Sequence, residues 1–179
     1  MNIYIIVKEK EKNIGKLRFE GEYLYDKKWS GKGYDIEGNK IYELINGNGP
    51  VKEYQEDFGF PSFEGEYLNG KRNGKGKEYD HNGKVKYEGE YLNGKRNGKG
   101  KEYNEYNEYG ELIYEGEYLN GKRNGKGKEY GANGKLIFEG EYLNNQRHGY
   151  GKEYNYSGKL LFEGEYLMNK KISDFFIVI

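Results

Sequence analysis

The stretch from Tyr87 to Gly100 reads Tyr-Glu-Gly-Glu-Tyr-Leu-Asn-Gly-Lys-Arg-Asn-Gly-Lys-Gly, and it recurs almost unchanged from Tyr114 to Gly127. Its core, Glu-Gly-Glu-Tyr-Leu, begins at Glu20, Glu64, Glu88, Glu115, Glu139 and Glu163. The last four steps are 24, 27, 24 and 24 residues, and the step of 27 carries three extra residues in the loop Asn104 to Tyr109. The first gap, 44 residues, holds a shortened copy running from Ile41 to Tyr54. A fixed period of this length means one supersecondary unit repeated and stacked on its neighbours.

Within the copy from Gly83 to Tyr103, alternation predicts a strand over Lys84 to Leu92, a turn at Asn93 to Arg96 and a return strand over Asn97 to Tyr103. The Asn-Gly pair supplies the positive φ that a tight hairpin turn needs. No window has helical spacing. A four-residue turn sets Glu90 against Lys99, Glu88 against Lys101, Tyr91 against Gly98 and Gly89 against Gly100, with the same register at Glu66–Lys75 and Glu117–Lys126. That register gives opposite-charge cross-strand pairs and rings lying over bare glycines. A two-residue turn, with Tyr91 opposite Arg96, gives fewer such pairs. Alternation then puts Val85, Tyr87, Gly89 and Tyr91 on one face. The Glu–Lys pairs take the other, with a stripe of Leu92, Leu119 and Leu143 toward the turns. The expected fold is all-β: an open single-sheet stack of about six to seven antiparallel β-hairpins. Residues 1–18 are read as an N-terminal cap, 19–167 as the array, and 168–179 as an apolar C-terminal cap or contact segment.

The unit resembles the MORN repeat, whose pattern is Tyr-x-Gly-x-aromatic, then Asn-Gly, then Gly-x-Gly. The resemblance covers Phe19 to Leu167. Two differences are a Tyr at position 91, where MORN repeats often have Trp, and the linking loop, where they often have Asp-Gly. The Glu-Tyr endings and Asn-Gly-Lys linker are also similar to a bacterial antitoxin-like repeat family. The resemblance implies a scaffold or membrane-junction organiser, with phosphoinositide binding and dimerisation among the family's proposed traits; fold alone does not fix function.

Composition narrows the function classes. The chain has 29 Gly and 21 Tyr among 179 residues, so its core is expected to be aromatic rings on glycine backbone. Lys plus Arg and Asp plus Glu number 30 each. A zero balance argues against nucleic acid as partner, which is bound by neutralising phosphates. There is no Cys, and the two His residues, His81 and His148, have no metal-ligand or triad spacing. No enzyme activity, cofactor or metal is expected. No apolar run approaches the about 20 residues of a membrane-spanning helix. The chain is read as cytoplasmic, with peripheral membrane contact as the variant.

Three surfaces are candidates. The first is the aromatic face, as a partner-binding groove lined by Tyr67, Tyr91, Tyr118 and Tyr142 with Tyr87, Tyr114 and Phe138 beside them; the plainer reading is that these rings pack the sheet. The second is a basic ladder at the hairpin tips (Lys71, Arg72, Lys95, Arg96, Lys122, Arg123, Arg147 and His148) for anionic phospholipid head groups, against the plainer reading of solvated turns. The third is the apolar tail Phe175 to Ile179, as a cap or homodimer contact. The expected function is a non-catalytic scaffold for an unknown protein partner, self-association included. A phospholipid adaptor and an antitoxin-like neutraliser are the alternatives.

Overall fold

The structure is a computed structural model, and it describes residues 6–13, 15–55, 59–105 and 110–172. Every regular element among them is a strand, and the strands are antiparallel hairpins in open sheets. Two compact units divide the chain, Met1–Lys95 and Arg96–Ile179.

The first unit contains β1 (Ile6–Asn13), β2 (Lys16–Leu24), β3 (Lys27–Tyr34) and β4 (Lys40–Leu44), which form a four-stranded sheet in chain order. It continues with β5 (Gly49–Tyr54), β6 (Pro61–Leu68), β7 (Lys71–Tyr79) and β8 (Val85–Leu92), also neighbours in chain order. The expected single sheet is thus interrupted at the shortened copy, where the isolated bridge Ile45–Asn48 is the pairing recorded between β4 and β5. This copy differs from the others at two side chains. Gly31 faces Leu44 and Val51 faces Gly65, so Leu44 and Val51 stand where other hairpins carry a glycine pair. Both are buried. Two branched side chains fill the space that a ring over paired glycines occupies elsewhere.

The second unit contains β9 (Lys95–Tyr103), β10 (Leu112–Leu119), β11 (Lys122–Tyr130), β12 (Leu136–Leu143), β13 (Gln146–Tyr154), β14 (Leu160–Leu167) and the two-residue β15 (Lys170–Lys171), again in chain order.

The hairpin register combines both sequence alternatives. Near the tip the turn has two residues: Leu119 faces Lys122 and Tyr118 faces Arg123. Asn120 and Gly121 both have positive φ, 53° and 88°, as a type I′ turn requires. The strands then shift, and at the base Gly116 faces Gly127 and Glu115 faces Lys128, as the four-residue register expects. A bulge at Asn124–Lys126 absorbs the difference, with Gly125 at φ 84°. The β6–β7 hairpin repeats this: Tyr67 faces Arg72, while Gly65 faces Gly76. The expected pairs Glu66–Lys75 and Glu117–Lys126 do not form across their hairpins. Glu66 faces Asn73, and Glu117 lies against the bulge, where its carboxylate accepts from the Lys126 amide at 3.3 Å. Lys75 pairs instead with Glu90 of the next hairpin, and Tyr91 faces Gly74 of the preceding one. The other expected pairs of that copy, Glu90–Lys99, Glu88–Lys101 and Gly89–Gly100, would join the two units.

Packing rests on the glycine pairs. The Tyr114 and Phe138 rings are fully buried, each above two facing glycines of its own hairpin. A Cβ on Gly140 would lie 2.7 Å from both the Phe138 ring and the Gly151 backbone. Successive rings meet edge to face: Tyr114–Tyr142 at 5.3 Å and Phe138–Tyr166 at 5.2 Å between centroids. Such pairs contribute about 0.5–1.5 kcal/mol each beyond burial.

Candidate interaction surfaces

The aromatic face is not an open groove. Tyr87, Tyr91, Tyr114, Tyr118, Phe138 and Tyr142 are all at most 4% exposed, and Tyr67 is half-buried. Tip arginines lie over part of this face, turned onto it by the two-residue turn. Arg72 lies 4.2 Å above the Phe63 ring, Arg123 4.0 Å above Tyr114, and Arg147 4.2 Å above Phe138. Each is an arginine–ring contact that desolvation strengthens.

Each arginine is also fixed by glutamates that close the return strands. Arg72 bonds Glu53 with two nitrogens and approaches Glu78 at 3.9 Å. Arg123 bonds Glu102 and lies 3.6 Å from Glu129; Arg147 bonds Glu129 and lies 3.4 Å from Glu153. Arg96 reaches Glu102 at 3.3 Å. The same carboxylates accept tyrosine hydroxyls: Tyr67 on Glu53 at 2.9 Å, Tyr91 on Glu78 at 2.8 Å and Tyr118 on Glu102 at 2.9 Å. Burial, joined by the charge and hydrogen bond of the adjacent carboxylate, pushes the Tyr67 and Tyr118 phenols far above their ordinary range. Near the ends lysine takes the arginine's place. Lys28 bonds Glu11 at 2.9 Å over Phe19, and Lys171 bonds Glu153 at 3.2 Å over Phe162.

Arg72, Arg96, Arg123 and Arg147, expected in a basic ladder at the tips or in solvated turns, are each paired with a glutamate instead. The four-residue turn left them in the loop, whereas the two-residue turn plants them in the strand. Glu53, Glu78, Glu102, Glu129 and Glu153 were not singled out by sequence reasoning. Their signal was present: each opens the Glu-Tyr ending of a return strand. The tip lysines Lys71, Lys95 and Lys122 do stay exposed. His148 is half-buried, and its Nδ1 has no hydrogen-bond partner among the described residues.

On the opposite face the leucine stripe is exposed: Leu68 by 49% and Leu92 by 50% in the first unit, and Leu119, Leu143 and Leu167 by 51, 42 and 51% in the second. Beside it run the carboxylates of the Glu–Lys pairs, which also take the hydroxyls of Tyr79, Tyr130 and Tyr154 through Glu64, Glu115 and Glu139. The tips are laddered: the Gly94 amide donates to the Arg72 carbonyl in the first unit, and the Gly121 amide to the Arg96 carbonyl in the second, both at 2.8 Å.

One polar group stands apart. Arg18 is 1% exposed and lies 4.0 Å from the centre of the Tyr54 ring, and none of its three side-chain nitrogens has a hydrogen-bond partner among the described residues. Among the described residues no group of three or more His, Cys, Asp or Glu is arranged to hold a metal, and no helix is long and apolar enough to cross a membrane. The tail Phe175 to Ile179 lies outside the described residues.

Repeated hairpins with ringed glycine pairs and Asn-Gly tips define a β-hairpin repeat array. The MORN repeat family matches residues 63–85, 87–104, 114–135 and 138–159, and the chain is a MORN-repeat protein. No curated protein matches the chain.

Proposed function

We propose that the protein is a non-catalytic scaffold that holds a protein partner on its leucine-bearing face. The observation that carries this reading is the leucine at the same place in successive hairpins of the second unit, Leu119, Leu143 and Leu167, left about half exposed while Tyr114, Tyr118, Phe138 and Tyr142 on the other face are buried. Contiguous apolar surface rimmed by charge is what association sites present. Exposed Lys122 and Lys170 lie at the tips beside this stripe, so the fitting partner combines apolar side chains with carboxylates. MORN repeats occur in protein-binding and membrane-binding settings.

The test is a Leu119→Ser, Leu143→Ser, Leu167→Ser triple variant, with the fold checked by circular dichroism. Quantitative co-purification from the source cell is expected to lose the wild-type partner. Full retention by a folded variant would overturn the reading. Anionic membrane remains a second reading because the tip lysines are exposed. It expects salt-sensitive vesicle binding that Lys71→Ser, Lys95→Ser, Lys122→Ser abolishes. Cytoplasmic placement and self-association belong to the proposal; light scattering with small-angle scattering reads the latter as a doubled mass.

A further inference from the structure

The leucines of the second unit are held at a fixed spacing. The Gly121, Asn145 and Asn169 amides donate to the Arg96, Arg123 and Arg147 carbonyls at 2.8 to 2.9 Å, so each tip is tied to the tip before it. Asn145 and Asn169 add a second tie, their side-chain Oδ1 accepting from the Arg123 and Arg147 amides at 2.8 Å. Leu119, Leu143 and Leu167 end β10, β12 and β14, so one strand lies between each leucine and the next. Two strand spacings set them about 9.6 Å apart. They are 51, 42 and 51% exposed.

That period selects the backbone that can lie along the stripe. An extended strand returns a side chain to one face every second residue, about 6.7 Å, and the three residues that span about 10 Å bring the opposite face. An α-helix returns a side chain after seven residues and two turns, about 10.5 Å. A polyproline II segment repeats at about 9.3 Å, but it is held in grooves lined by aromatic rings. Here Tyr114, Tyr118, Phe138 and Tyr142 are buried on the opposite face, and Tyr150, exposed on this one, donates to Glu163 at 2.7 Å. Bare leucines are what the apolar seam of an amphipathic helix packs against.

The two flanks of the stripe differ in charge. At the tips stand Lys122 and Lys170, both exposed, with Gln146 at the middle place and no acidic residue in the three turns. Two residues inward along the strands, about 7 Å, stand Glu117, Glu141 and Glu165, all exposed, with Lys126 facing Glu141. A helix about 10 Å wide laid over the leucines reaches both flanks.

We propose that the leucine stripe of the second unit takes an amphipathic α-helix of a partner protein, lying across the strands. Its apolar residues fall one heptad apart, its carboxylates meet Lys122 and Lys170, and its cations meet Glu117, Glu141 and Glu165. This rests on the scaffold reading and adds the shape and charge of the partner segment.

The probe is a helical peptide of three heptads with Leu at the first place of each, Ala at the fourth, Glu at the fifth and Lys at the seventh. It is titrated into the isotope-labelled full chain and followed by amide chemical shifts. Saturable shifts centred on Leu119, Leu143 and Leu167 are expected, and the Leu119→Ser, Leu143→Ser, Leu167→Ser variant is expected to lose them. A peptide of the same composition with its leucines six residues apart is expected to bind tenfold or more weakly. No saturable shift at about 1 mM peptide, the weak limit of useful affinity, would overturn the proposal. So would equal binding of the six-residue peptide, or of a peptide whose central residue is proline, which breaks the helix. A doubled mass that the triple variant returns to the monomer value, without peptide shifts, would also overturn it, because a second copy then takes the stripe. The co-purification test fails separately: loss of the cellular partner from the triple variant without helix binding leaves the scaffold reading standing and overturns the helix.

Discussion

Arg72 grips the carboxylate of Glu53 with two nitrogens, Nε to Oε1 at 3.0 Å and Nη2 to Oε2 at 2.7 Å, from a different hairpin. The pair joins one repeat to the next across the aromatic face, and the same arrangement links Arg123 to Glu102 and Arg147 to Glu129. The arginine is thus at once the lid of its own hairpin's ring and the tie to the hairpin before it.

Removing that tie is expected to be costly. Arg123→Ala uncovers Tyr114 and leaves Glu102 and Glu129 without this cation. A loss of about 1.5–3 kcal/mol in urea denaturation is expected, the range for hydrogen bonds to charged groups. Arg123→Lys is expected to recover only part of it, because an ammonium cannot make the planar fork. A denaturation midpoint equal to wild type in Arg123→Ala would count against the arrangement.

Gly140→Ala places a methyl 2.7 Å from the Phe138 ring and from the Gly151 Cα. Neither neighbour is a flexible chain end, so the hairpin must open. Overpacking of this kind costs about 1–3 kcal/mol, and a lower thermal midpoint is expected. Gly134→Ala, at a loop glycine with φ 71° and open space around it, is expected to cost less, roughly the 1–2 kcal/mol of a left-handed non-glycine residue.

Arg18→Met is expected to stabilise the protein or leave it unchanged. Its guanidinium is buried without a hydrogen-bond partner among the described residues, and such a charge carries a desolvation penalty that its stacking on Tyr54 only partly offsets. Methionine keeps the length and the apolar contact. A clear drop in the unfolding midpoint would show that the cation has a partner of its own.

Alkaline stability should follow the tyrosines. Burial foremost, with a neighbouring glutamate, pushes Tyr79, Tyr130 and Tyr166 up to about 12, against an ordinary value near 10. Below pH about 10 the phenols are protonated in both states and their contribution is complete. From pH about 10 to 12 the unfolded chain releases its protons first, so stability falls, and above the folded value the contribution is gone. Tyrosine absorbance at alkaline pH is expected to rise together with loss of the far-ultraviolet strand signal. Full titration of the tyrosines before unfolding would contradict this.

Much of the fold was legible because each repeat states it again. Alternation gave the strands, Asn-Gly gave the tips, and facing glycines gave the register at the hairpin base. The sorting of Tyr87, Gly89 and Tyr91 from Glu88, Glu90 and Leu92 also follows from period two alone. The register at the tip was not legible. Both turn lengths satisfy part of the pattern, and the bulge at Asn124–Lys126 lets both be true at once. Without that bulge the sequence pattern puts the arginines in solvent and leaves the aromatic face open.

What the sequence by itself determined is the repeating hairpin, its two faces and its family, because these depend on residue periodicity and on the conformations that Gly and Asn allow locally. What only the tertiary structure decided is which surfaces are left to bind. Whether Arg72 points to solvent or onto Phe63 and whether β4 and β5 pair depend on contacts between residues of different strands. Those contacts are set by packing volume and by the pairing of buried charge, which no single strand's sequence contains.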